Sequence, residues 1–125
     1  MQNLLFIFLG GGTGAVCRYG TSLLAGRWLG TGFPYGTLII NLSGAFLIGL
    51  IVELLALKFS ASPQLKLLLV TGFLGGYTTF SAFSLETALM LQRGDYAQGL
   101  IYVLASVLGT VTLVFAATAL VRQFF

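Results

Sequence analysis

Residues 72–83 read GFLGGYTTFSAF, and apolar chain surrounds them, LLLV at 67–70 before and LETALML at 85–91 after. In a soluble protein three glycines and a run of hydroxyls would make an ordinary loop. In hydrocarbon the same stretch is costly, because each unpaired backbone group there loses several kcal/mol. Which solvent surrounds the chain therefore decides what these twelve residues are.

Composition decides the solvent. The chain has 125 residues, of which 58% are hydrophobic and only 7% charged, against about 25% charged in ordinary globular domains. A chain this short could not keep such a surface in water. It is expected to be an all-α membrane protein forming one compact helical unit, residues 1–125, without a second domain. Histidine is absent and the acids are only Glu53, Glu86 and Asp95, which leaves little for histidine-ligated metal chemistry or acid–base catalysis. Cys17 has no second cysteine to pair with and reads as a small packing residue. No base precedes the first apolar run, MQNLLFIFLGGGTGAV, so it is expected to be a retained span rather than a cleaved signal.

The pattern predicts four transmembrane helices, near Asn3–Leu24, Tyr35–Leu57, Gln64–Leu91 and Ala97–Val121, the third broken by the opening stretch. AGRWLGTGFP, KFSASP and QRGDY connect them. Loop charge barely chooses an orientation: Lys58, Lys66 and Arg122 join the N-terminal amine on one side, and Arg27 and Arg93 lie on the other. Such a chain can insert both ways, and two copies can then pair head to tail. The alternative is that one further charge, or the translocon, fixes one orientation. Four helices leave little room for a passage, so any transport would need an oligomer.

Polar groups within spans are functional candidates because hydrocarbon makes them expensive. Arg18 lies near the end of the first span, where it can snorkel to the interface or draw anions to a vestibule. On the second span Thr37, Asn41 and Ser43 or Gly44 share a face. The Asn41 amide can join helices or offer donors to an anion. A break at the third span would free carbonyls able to meet a cation. Phe80 and Phe83, three apart, share a face beside Thr79, Ser81 and Ser84. Aromatic edges are electropositive and can face an anion, although two phenylalanines so spaced also suit packing. Tyr102, Ser106 and Thr110 form a hydroxyl stripe on the fourth span, for which helix packing is the simpler reading. Glu53 and Glu86 sit toward span ends, as partners of bases or as vestibule groups.

Three motifs on successive helices, GGGTGAVCRYG at 10–20, GTLIINLSG at 36–44 and GFLGGYTTFSAF at 72–83, resemble the Fluc (CrcB) family of small bacterial fluoride channels. The resemblance spans nearly the whole chain. It implies an antiparallel, dual-topology homodimer in the bacterial inner membrane, inserted in both orientations, with two pores that let fluoride leave the cytoplasm passively. It also implies a structural sodium ion (Na+) at the dimer centre, held by the backbone carbonyls of Gly75 and Thr78. Phe80 and Phe83 would form the pore wall with Asn41 beside them, and Arg18 would stand near the vestibule. Ser81 and the Tyr102–Ser106–Thr110 stripe are candidates for a polar track, and Thr37 is a weaker one. The family usually reads TTFSTF where this chain has Ala82, so a hydroxyl is missing beside the phenylalanine pair; if that hydroxyl helps desolvate the ion, conduction should be weaker here, with fold and sodium site retained.

Two rivals stand beside this reading. A proton-coupled small exporter wants a carboxylate near mid-helix, where this chain has none, and a non-transporting assembly subunit would use the glycines and hydroxyls for packing alone. An enzyme lacks a nucleophile–base constellation. A nucleic-acid partner is not expected, because the net charge of +3 is spread over loops on both sides; lipid and a second copy of the chain are the macromolecular surroundings.

Overall fold

The computed structural model describes residues 1–57 and 61–125, which are helical with short connections and no strand. Helix α1 covers Gln2–Leu29, α2 Tyr35–Leu57, α3 Pro63–Lys66, α4 Gly75–Tyr77, α5 Phe80–Gln92 and α6 Tyr96–Phe124. A π-helical segment, Leu67–Leu74, joins α3 to α4. Of the predicted KFSASP turn, Lys58, Phe59 and Ser60 lie outside the described residues. Ser62 caps α3, its hydroxyl accepting from the Leu65 N–H at 3.2 Å, with Pro63 at the first helical position.

Among the described residues, three stretches are long and apolar enough to cross a membrane: Tyr35–Leu57, Pro63–Gln92 taken across its interruption, and Tyr96–Phe124. The first of the four expected spans differs. At 28 residues α1 has the length, about 42 Å at 1.5 Å per residue, but Gly10, Gly11, Gly12, Gly14 and Arg18 dilute its apolar content. It also continues beyond the expected end at Leu24, as far as Leu29. Nothing in AGRWL forbids helix, and the chain turns only at Gly30, whose φ of 82° suits a residue without Cβ.

Small residues set the packing. Helix α1 lies along the π-helical segment and α4, while α2 lies chiefly along α6. A Cβ on Gly14 would collide with the Phe73 carbonyl, and one on Gly10 with the Leu68 carbonyl. Between α2 and α6, a Cβ on Gly49 would come within 2.8 Å of the Ala117 Cβ. Backbones approaching this closely gain dispersion contact, which stands in for the hydrophobic drive that a bilayer does not supply. The interior is thin: Tyr102, Ile40, Leu74, Met90 and Val121 are its largest fully buried side chains. Phe8, Val16, Trp28 and Phe115 are mostly exposed, as suits a surface solvated by lipid. At one end, the Arg122 Nε donates to Glu53 Oε1 at 2.6 Å and ties α6 to α2. Of the two roles open to Glu53 in the sequence, partner of a basic residue is the one its position gives.

Candidate functional site

The interruption of the third span falls at Thr78 and Thr79, which leave the helical region together. Thr78 has φ −80° and ψ 158°, and Thr79 has φ −150° and ψ 123°. On the near side, the Thr78 N–H and hydroxyl both donate to the Leu74 carbonyl, at 3.0 and 2.8 Å. On the far side, the Thr79 hydroxyl accepts from the Ala82 N–H at 3.2 Å and caps α5.

The two backbone groups of Thr79 are satisfied from another helix. The Asn41 Nδ2 donates to the Thr79 carbonyl at 2.9 Å, and the Thr79 N–H donates to Asn41 Oδ1 at 2.9 Å. In an unbroken helix that N–H would close on the Gly75 carbonyl; here it turns to α2 instead. Gly44, one turn along from Asn41, makes room for this, since a Cβ there would run into the Thr78 methyl. Asn41 is thus occupied on both sides of its amide, and one Nδ2 hydrogen remains for anything beside it.

A groove of about 380 Å³ runs alongside the break. Of the residues singled out in the sequence, Asn41, Gly75, Thr78, Phe80, Phe83, Ser106 and Thr110 line it, together with Thr79 and apolar residues such as Ile48 and Val114. None of its lining residues is charged. The two rings stand 5.6 Å apart at 44°, but their surroundings differ. Phe83 is 9% exposed and packs on Tyr102, ring centroids 5.1 Å apart, whereas Phe80 is 78% exposed. The hydroxyls differ too. Thr110 donates back to the Ser106 carbonyl at 2.6 Å, while the buried Ser106 Oγ has no hydrogen-bond partner among the described residues. A buried hydroxyl left unpaired is costly, and this one belongs to the groove wall.

Other candidates lie elsewhere. Arg18 and Thr37 line a second cavity of about 240 Å³ with Tyr19, Ser22, Thr79 and Ala82. Ala82 therefore faces the Arg18 side of the break and not the groove of the two phenylalanines. Tyr102 is fully buried beneath Phe83, and its hydroxyl donates to Glu86 Oε1 at 3.3 Å. Ser81 is exposed, its hydroxyl 3.4 Å from that of Thr79. Glu86 lines a third cavity, of about 230 Å³, with the turn from Gly30 to Gly36 and with Arg93. The union of Asn41 with Thr79 is the feature that sequence reading missed, because it joins residues 38 apart on different helices.

Comparison with known proteins finds relatives along nearly the whole chain. Residues 5–118 match the family described as CrcB-like protein, Camphor Resistance (CrcB). The chain belongs to the CrcB family. Among its relatives, the fluoride-specific ion channel FluC of Chelativorans sp. (strain BNC1) is 51% identical over 123 residues, covering 98% of both chains. Fluoride-specific ion channel FluC 2 of Nitrobacter hamburgensis is 48% identical over 98% of both. The FluC of Agrobacterium fabrum is 45% identical over the full length of both. The three sequence stretches at 10–20, 36–44 and 72–83 thus converge on the break and on the two cavities that flank it.

Proposed function

We propose that this chain is the subunit of a passive, fluoride-selective channel that lets cytoplasmic fluoride leave the cell and so confers fluoride resistance. The groove carries the reading: in a chain whose full-length relatives are named for fluoride, an uncommitted Ser106 hydroxyl, a free Asn41 hydrogen and the Phe80 and Phe83 rings meet beside broken backbone. Fluoride is small and tightly hydrated, so a passage must replace its water with donors in succession and hold it weakly. Neutral amide, hydroxyl and ring-edge groups do this without the trap that a line of fixed cations would set. Chloride, being larger, would fit such a passage badly.

The assembly is an antiparallel homodimer with two pores in the bacterial inner membrane, α1 serving as the fourth span. Support comes from the weak charge bias of the loops and from the groove itself, which leaves Phe80 and Gly75 exposed on one protomer. A second copy placed there would wall it. The break also suits a structural sodium ion. The Gly75 carbonyl lacks the Thr79 N–H that a continuous helix would give it, its backbone lies at the protomer surface, and neutral carbonyl oxygens favour a hard cation. Gly75 and Thr78 would hold it, and a sodium ion there would neutralise facing carbonyl dipoles of two copies.

Passive movement separates this reading from a proton-coupled exporter. Fluoride efflux from reconstituted vesicles is expected to continue after the pH gradient is collapsed; efflux that stops with the gradient would make the protein an exporter. Ala82 borders the Arg18 cavity and not the groove, so Ala82→Thr tests whether that cavity belongs to the passage: efflux raised by about tenfold, the worth of one added hydrogen bond of about 1.4 kcal/mol, is expected if it does. An unchanged rate in that variant would remove Ala82 from the pathway.

A further inference from the structure

We propose that Asn41 is a positioning residue whose amide keeps the third span open at Thr78–Thr79 and thereby sets cation affinity at the break. The inference rests on the proposed sodium site. The span is interrupted where its own residues could bond along the chain: the Thr79 N–H is the natural donor to the Gly75 carbonyl. That donor is withheld because Asn41 Oδ1 accepts it, at 2.9 Å, while Nδ2 takes the Thr79 carbonyl at the same distance. The pair forms a closed ring between one side-chain amide and both backbone groups of one residue. Thr79 is 9% exposed, and Asn41 Oδ1 is the partner that its N–H has taken in place of the helix. The Thr79 N–H would then return toward Gly75, and the carbonyl that a cation needs would be spent inside the helix. Asn41 also lines the groove, so one side chain joins the break to the passage.

Only an amide performs both halves. Asp at this position keeps the acceptor for the Thr79 N–H and loses the donor to its carbonyl, and Ala loses both. The test is the sodium concentration that half-protects the purified dimer against thermal dissociation, with potassium replacing sodium at constant ionic strength. Wild type, Asn41→Asp, Asn41→Ala and Ser106→Ala are compared. Asn41→Ala is expected to need about tenfold more sodium, as for one lost hydrogen bond, whereas Asn41→Asp, which keeps the acceptor for the Thr79 N–H and adds a negative charge, should need no more than wild type. Ser106→Ala, which lines the groove without touching the break, should keep the wild-type midpoint even where it alters flux. Should Asn41→Ala not assemble, Asn41→Leu, of similar volume and without an acceptor, carries the comparison. An Asn41→Ala or Asn41→Leu dimer that loses fluoride flux yet keeps the wild-type sodium midpoint would overturn the inference and leave Asn41 as an ion contact only. A wild-type dimer indifferent to sodium would overturn the cation reading itself, and the inference with it.

Discussion

Phe80→Ala is expected to lower fluoride efflux by at least about 100-fold, equivalent to about 2.7 kcal/mol on the barrier, while the protomer stays folded. The asymmetry between the two rings is the reason. Phe80 is 78% exposed and contributes little to its own protomer's packing, yet it lines the groove beside Asn41 and Ser106. Its removal takes away an electropositive edge at the point where fluoride would have shed water. Phe83→Ala is a different experiment. That ring is buried against Tyr102 and within reach of Met90, and deleting a buried phenylalanine costs about 3–5 kcal/mol. Flux measured alongside circular dichroism and size-exclusion chromatography separates the cases. A Phe80→Ala protein that is folded and conducts normally would remove the exposed ring from the pathway; one that fails to assemble would assign it to packing.

The second large effect concerns the frame. Gly14→Val is expected to prevent assembly, because even the first carbon of the new side chain collides with the Phe73 carbonyl. The carbonyl is backbone and the Cβ is fixed by the backbone that bears it, so neither can rotate away, and the strain amounts to about 3 kcal/mol. Gly12→Ala is the control: a Cβ there meets nothing within 4 Å, and that protein should purify as wild type does. The pair is read by the yield of folded protein at its assembled size. Equal yields from both variants would mean that α1 does not dock on the π-helical segment as described.

The break was legible in GFLGGYTTFSAF because glycine and back-bonding threonine both weaken a helix, and it falls at Thr78–Thr79. What holds it open was not legible, since periodicity within one helix carries no record of a partner 38 residues away. Periodicity also put Phe80 and Phe83 on one face correctly, but it could not show that α6 covers only one of them. Thr37 and Asn41, four apart, border different cavities, because Thr79, which lines both, stands between those cavities. The π-helical segment reads LLLVTGFL, an apolar run with no distinguishing period. The separate surroundings of Ser81, Tyr102 and Ala82 likewise depend on how α5 meets its neighbours. The dimer and the sodium ion are implied by family resemblance and stand as proposals.

Whether this chain conducts fluoride is tested most simply in a sealed vesicle. Purified protein is reconstituted into liposomes loaded with potassium fluoride, a potassium ionophore balances charge, and a fluoride electrode records release. Rapid fluoride release on adding the ionophore is expected, with none from protein-free vesicles or when chloride is the loaded anion. Sealed fluoride vesicles containing folded, assembled protein, with the Ala82→Thr variant equally silent, would mean that the chain is not a fluoride channel.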